Sequence, residues 1–248
     1  MRPRHPLRAV LVALLAVTVL VWATNLLQEY RGVATARSYW STSHGPAGGL
    51  LYVALGDSTA QGVGASSPDC GYVGILAADL HRRTGQPVRV VNLSASGATV
   101  ADVLANQLPR LHQLRADLVT VAVGGNDVRS YSRDSFATQV SLLAAALPAG
   151  TFIADVPWFM HGGWERRAEQ AAAVIGRNAR ARGLVLVPLH RTLEGRGWQA
   201  MATDFAPDWF HPNNRGYRVW ADAFWTAIEP TYQQGAPALD ARDLSLCR

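Results

Sequence analysis

The chain has 248 residues, 49% of them hydrophobic and 17% charged, which is enough apolar material for one ordinary domain with an appendage and excludes a disordered or collagen-like polypeptide. A formal charge of +5 and a pI near 9.7 raise the question of nucleic-acid binding. Residues 1–37 carry five arginines against one glutamate, so the body that follows is close to neutral and lacks the electrostatic footprint a polyanion would need.

Behind Arg2, Arg4 and Arg8 lies AVLVALLAVTVLVWATNLL, Ala9 to Leu27, without a charged residue. Coiled as a helix rising 1.5 Å per residue, this stretch matches the roughly 30 Å apolar layer of a bilayer. The preceding arginines favour the cytoplasmic side. Residues 1–27 are therefore read as an uncleaved signal anchor, single-pass, with an extracytoplasmic domain behind it. A cleaved signal peptide and secretion is the rival reading, with Ala34-Thr35-Ala36 as the small-residue site. That site lies beyond Glu29 and Arg31, far from the apolar segment.

Residues 28–49, ending Ser-Thr-Ser-His-Gly-Pro-Ala-Gly-Gly, read as a linker, residues 50–230 as the globular domain and residues 231–248 as a tail. Export gives the two cysteines a meaning, because paired thiols in an oxidising compartment tend to be oxidised. A Cys70–Cys247 disulfide is expected, pinning the tail near the loop after Ser58. Two cysteines with no histidine nearby make a poor metal site.

From Leu50 onward, Val-rich runs alternate with helical patterns. The strand-like runs are Leu50–Leu55, Val88–Leu93, Leu118–Val123, Thr151–Val156 and Leu184–Leu189. Their unbroken apolar character suits strands covered on both faces. Helices are predicted over Tyr72–Arg83, Thr99–Arg115, Ser135–Leu147, Trp164–Arg182 and Asn213–Ile228, with Pro148, Gly150 and Gly183 as stops. This alternation predicts an α/β fold: a three-layer α/β/α sandwich around a parallel sheet of about five strands. In such folds the crevice lies at the C-terminal strand ends.

Each of those ends carries a polar group. Gly56-Asp57-Ser58 follows the first strand and Asn92-Leu93-Ser94-Ala95-Ser96-Gly97 the second. Gly124-Gly125-Asn126-Asp127 follows the third, and Asp208-Trp209-Phe210-His211-Pro212-Asn213 precedes the last helix. Taken singly, each has a plain reading: Asp and Ser cap turns, Gly97 permits a left-handed turn, and Pro212 starts a helix at its first position. Their joint order is harder to explain that way.

With GDSTAQG, NLSASGAT, GGND and DWFHP in this order, the chain resembles the SGNH (GDSL-type) hydrolase family from about Leu51 to Ile228. Thr59 stands where the family signature carries Leu. The resemblance implies Ser58 as nucleophile, with Asp208 and His211 completing a triad. It also implies an oxyanion hole formed by the backbone N–H groups of Ser58 and Gly97 and the side chain of Asn126. A serine hydroxyl needs a base to take its proton, and imidazole, with an unperturbed pKa near 6.5, suits that task. No metal or organic cofactor is required.

Asp155 is a rival acid for orienting His211, while Asp57 and Asp127 are read as bracing their own turns. His161 lies in the aromatic loop Pro157–Trp164, which lines either an acyl or aryl pocket or merely core; the other histidines are read as surface residues. The expected activity is an extracytoplasmic serine esterase acting on a small-molecule, lipid or glycan ester. An acyltransferase using the same site is the alternative. A phosphate-binding module built on Gly56, Gly62 and Gly64 is disfavoured, because neither Gly-Lys-Ser/Thr nor G-x-G-x-x-G is present.

Overall fold

The computed structural model describes residues 6–160, 162–232 and 247. Five strands form one all-parallel sheet in the order β2-β1-β3-β4-β5: β1 Leu50–Gly56, β2 Val88–Asn92, β3 Leu118–Ala122, β4 Phe152–Ala154 and β5 Val185–Val187. The chain steps outward from β1 to β2 and then returns across β1 to β3. The C-terminal ends of β1 and β3 therefore flank a topological switch point, where such sheets open a crevice.

Strand side chains divide between two cores, which explains the unbroken apolar runs. Leu51, Val53 and Leu55 of β1 join Val119 and Val121 of β3 against the helices on one face. Those helices are α5 Arg133–Ala146 and α6 Gly162–Ala181, with the segment Val100–Leu111. Tyr52 and Ala54 face the other layer, α2 Tyr72–Thr84 and α9 Asn214–Ile228, where Tyr72 and Phe224 stack at 5.1 Å. A fully buried apolar side chain of this size contributes about 1.5–3 kcal/mol, so both faces of the sheet hold the fold.

Three departures from the sequence expectations have local causes. The helix expected over Thr99–Arg115 is α3 Val100–Asp102, a π turn Val103–Gln107 and α4 Leu108–Leu111. Pro109 cannot donate to the turn before it, and the ladder widens immediately upstream. Pro212 is not the first residue of the last helix. Asn213 is the N-cap, its side chain accepting from the N–H groups of Arg215 and Gly216. The short helices α7 Leu189–Glu194 and α8 Ala200–Thr203 carried too few turns to show a period in the sequence.

The fourth departure concerns the apolar N-terminus. The first helix, α1, runs Pro6–Tyr39, through Gln28–Tyr39 of the segment expected as a linker. Its residues from Val10 to Val21 are exposed, whereas Ala36 and Trp40 are buried against the domain. Val10–Tyr39 is long and apolar enough to cross a membrane. A disulfide joins Cys70 to Cys247 across 177 positions. Residues 233–246, most of the predicted tail, lie outside the described residues, as does His161.

Candidate active site

Strand β1 ends at Gly56, whose φ of 151° lets the chain turn where a side chain would strike the Ala122 carbonyl at 2.3 Å. Asp57 then braces the turn, its Oδ1 accepting from Thr59 N–H at 2.9 Å and Thr59 Oγ1 at 2.7 Å. Ser58 is held between them, buried, at the end of a rigid strand. Gly64 answers the question of the remaining glycines: a Cβ there would lie 2.8 Å from His211 Cβ and 2.6 Å from the Pro212 carbonyl. Gly56 and Gly64 admit neighbouring chain rather than cradle a phosphate.

The loop before α9 supplies the partners. Asp204, buried, takes Arg196 at 3.0 Å and Arg215 at 3.2 Å, and its carbonyl accepts from Asn213 N–H. Asn213 Nδ2 donates to the carbonyls of Thr203 and Phe205, and Phe205 bridges Pro212. On this frame Asp208 Oδ1 accepts from the N–H groups of Phe210 and His211, which draws Trp209 into the left-handed region at φ 56°. A non-glycine there costs on the order of 1–3 kcal/mol, held by the surrounding bonds.

The chain of contacts is then complete. Asp208 Oδ2 lies 2.7 Å from His211 Nδ1, and His211 Nε2 lies 2.9 Å from Ser58 Oγ. His211 is buried at 3% exposure, so water does not compete for either nitrogen. Burial pushes Asp208 up, but hydrogen bonds from the His211 ring and the two N–H groups outweigh it and hold the carboxyl below the usual range. Asp208 is therefore an anion that fixes one ring nitrogen as donor and leaves the other to accept from Ser58.

Asn126 lies beside this array, its Nδ2 donating to the Ala98 carbonyl at 3.0 Å and facing Asp57 Oδ2 at 3.5 Å. Gly97 occupies an exposed left-handed turn at φ 81°; it is not among the described residues that line the cavity next to Ser58. The Gly97 loop is pinned by Gln61, which donates from Nε2 to the Ser94 carbonyl and accepts Ser96 N–H and Oγ on Oε1.

Three further residues are placed by their partners. Asp155 does not reach His211: its Oδ1 accepts His190 N–H at 2.7 Å and so caps α7, and burial pushes its pKa up to about 6. Asp127 reaches beyond its own turn to the start of α3, accepting Val100 N–H at 3.2 Å; burial likewise pushes its pKa up to about 6. Nor is His190 a surface residue. Its Nε2 lies 3.0 Å from Glu165 Oε1, and Glu165 Oε2 accepts Phe159 N–H, tying the aromatic loop to α6.

Gln107 belongs to no motif and was missed in the sequence reading. From the π turn, its amide takes both polar groups of Gly56, Gly56 N–H to Oε1 at 2.9 Å and Nε2 to Gly56 O at 2.8 Å, the carbonyl also accepting Ala95 N–H at 3.2 Å. Pro109 inside a helical pattern was the available signal of a broken ladder there.

A cavity of ≈ 260 Å³ opens at Ser58 between the ends of β3 and β4, walled by Trp158, Phe159, Met160, Met201, Phe205 and Trp220. Ser58 and Asn126 are among its few polar groups.

Sequence and fold both have known relatives. The model of the GDSL-like lipase/acylhydrolase family matches residues 54–219. Among solved structures, the chain is similar to LAE5, an alpha/beta hydrolase enzyme from the metagenome of Lake Arreo, Spain, at 25% identity and TM-score 0.62 over 74% of this chain and 97% of that one. It is similar to TesA at 28% identity and TM-score 0.61, over 73% and 99%. It shares its fold with Axe2, an acetylxylan esterase from Geobacillus stearothermophilus, at 21% identity and TM-score 0.59, over 78% and 97%. No curated protein sequence matches it. The chain belongs to the GDSL-like lipase/acylhydrolase family and is a serine-dependent carboxylic ester hydrolase.

Proposed function

We propose that the protein is a membrane-anchored, extracytoplasmic esterase that cleaves acyl esters through an acyl-Ser58 intermediate. The observation that carries this reading is the continuous contact from Asp208 through His211 to Ser58, at 2.7 and 2.9 Å. His211 takes the hydroxyl proton as Ser58 attacks the ester carbonyl, and Asp208 stabilises the imidazolium that forms. His211 then returns the proton to the leaving alcohol and later activates the water that releases the acid.

The oxygen that gains charge is held by the N–H groups of Ser58 and Gly97 and by Asn126. One Asn126 N–H is anchored on the Ala98 carbonyl, which fixes the amide plane, while the contact of Nδ2 with Asp57 is long at 3.5 Å and leaves the second N–H for the oxyanion. Such a donor is worth about 3 kcal/mol in the barrier. The apolar wall of the cavity suits an acyl or aryl group.

The anchor reading is supported by the packing of α1. The cleavage site Ala34-Thr35-Ala36 lies within a continuous helix, and Ala36 is buried at 1% exposure. A peptidase would have to unwind that helix and break its packing. The disulfide supports a location outside the cytoplasm.

Hydrolysis of a nitrophenyl ester by Ser58→Ala and Asp208→Asn proteins tests the mechanism. Ser58→Ala is expected to lose on the order of 10⁶-fold in kcat, and Asp208→Asn roughly 10³–10⁴-fold through the wrong tautomer. Full turnover in either variant contradicts the assignment.

A further inference from the structure

The direction in which α1 crosses the domain decides where its apolar half points. Gly32 lies beside Val63, on the loop that follows Ser58, and Trp40 Nε1 donates to the Gln61 carbonyl at 3.0 Å. His44 then pairs antiparallel with Val90 of β2, and Leu50 N–H takes the Pro87 carbonyl. The chain thus descends from the C-terminal ends of the strands to their N-terminal ends before entering β1. Followed backwards, α1 leaves the domain at the edge that carries Ser58. Between Leu27 and Gly32 there is about 8 Å of helix, and Asn25 is still partly shielded.

That edge also carries four exposed aromatic side chains, Trp164 at 45%, Trp198 at 58%, Trp209 at 63% and Phe210 at 37%. All four border the cavity, on the segments that follow β4 and β5 and precede α9. Tryptophan at a polar–apolar boundary is the residue type that settles into the headgroup region of a bilayer. Between this rim and Ser58 the wall is formed by Trp158, Phe159, Met160, Met201, Phe205 and Trp220, which suits an apolar substrate group.

We infer that the bilayer holding α1 covers this aromatic rim, and that the cavity draws its substrate from the same bilayer: an amphiphilic lipid ester whose acyl chain passes between the tryptophans to Ser58. The inference rests on the esterase and anchor readings above. It commits the rim to one occupant, the lipid surface, because α1 brings that surface to the edge where the rim lies.

The test uses the full chain in liposomes with two esters sharing one leaving group: water-soluble nitrophenyl acetate and bilayer-dissolved nitrophenyl palmitate. A helix-forming insert of about seven residues between Gln28 and Glu29 lifts the domain by about 10 Å with little rotation. Acetate turnover should stay unchanged, while palmitate turnover should fall about tenfold or more as the effective concentration is lost. Palmitate turnover that the insert leaves unchanged overturns the inference, as does native-length protein that cleaves acetate but not palmitate. Loss of acetate turnover in the native-length protein would instead sink the esterase reading.

A second measurement does not depend on the insert folding. In a Trp22→Phe background, lipids brominated near the headgroup should quench the emission of the native-length protein more strongly than that of a Trp164→Phe, Trp198→Phe, Trp209→Phe variant. Equal quenching in the two proteins overturns the inference.

Discussion

Three carboxylates stand close to Ser58, and their partners decide which can serve His211. Asp57 is committed to Thr59 and Asp155 to the start of α7, while Asp208 alone faces the ring at 2.7 Å. Asp155 has a measurable consequence. An unfolded-state aspartate ionises near pH 4, whereas burial pushes the folded Asp155 to about 6. The folded state therefore binds the proton more tightly. The stability this gives is fully present below about pH 4 and is lost as pH rises toward 6. Asparagine keeps the acceptor for His190 N–H and does not titrate. The unfolding free energy of the native protein minus that of Asp155→Asn should fall between about pH 4 and 6 and level off above. A difference that is flat through that window contradicts the account. The meeting of Ser58 with His211 was legible in the sequence because polar groups after parallel strands share one edge. The choice of Asp208 over Asp155 was legible in the Asp-x-x-His spacing, whereas the tie of Asp155 to His190 N–H was not.

At the scale of elements, the end of β1 is held by the π turn. Gln107 is buried at 2% exposure and bonds both the N–H and the carbonyl of Gly56, two residues before Ser58. Gln107→Leu preserves bulk but leaves the Gly56 N–H unpaired, at a cost of about 1–3 kcal/mol, and leaves its carbonyl with Ala95 N–H alone. Chemical denaturation should show a loss on the order of 2 kcal/mol or more, with turnover reduced as Ser58 loses its fixed position. An unchanged midpoint would show that the clamp holds nothing. The five strands were readable because long Val-rich runs leave few alternatives, and the long helices because their periods repeat. The π turn, α7 and α8 were not: they are short, and tertiary partners such as Gly56 and Asp155 decide them. The same limit applies to α1. Its apolar half declared itself, but Gln28–Tyr39 is fixed by packing of Ala36 and Trp40 that a Ser/Gly-rich continuation concealed.

Over the whole molecule, distant segments of the chain converge on the turn that presents Ser58. Trp40, just after α1, and Tyr217 from α9 donate to the Gln61 and Val63 carbonyls, and Cys247 is tied to Cys70 nearby. Closing so long a loop would stabilise the fold by about 5 kcal/mol in the chain-entropy model. This bracing serves one claim, that Ser58 is an activated nucleophile. Reaction with a fluorophosphonate, followed by peptide mapping, measures it directly. The account predicts a single covalent adduct on Ser58, absent in Ser58→Ala and strongly slowed in His211→Ala. An adduct on another residue, or equal labelling of Ser58→Ala, would contradict it.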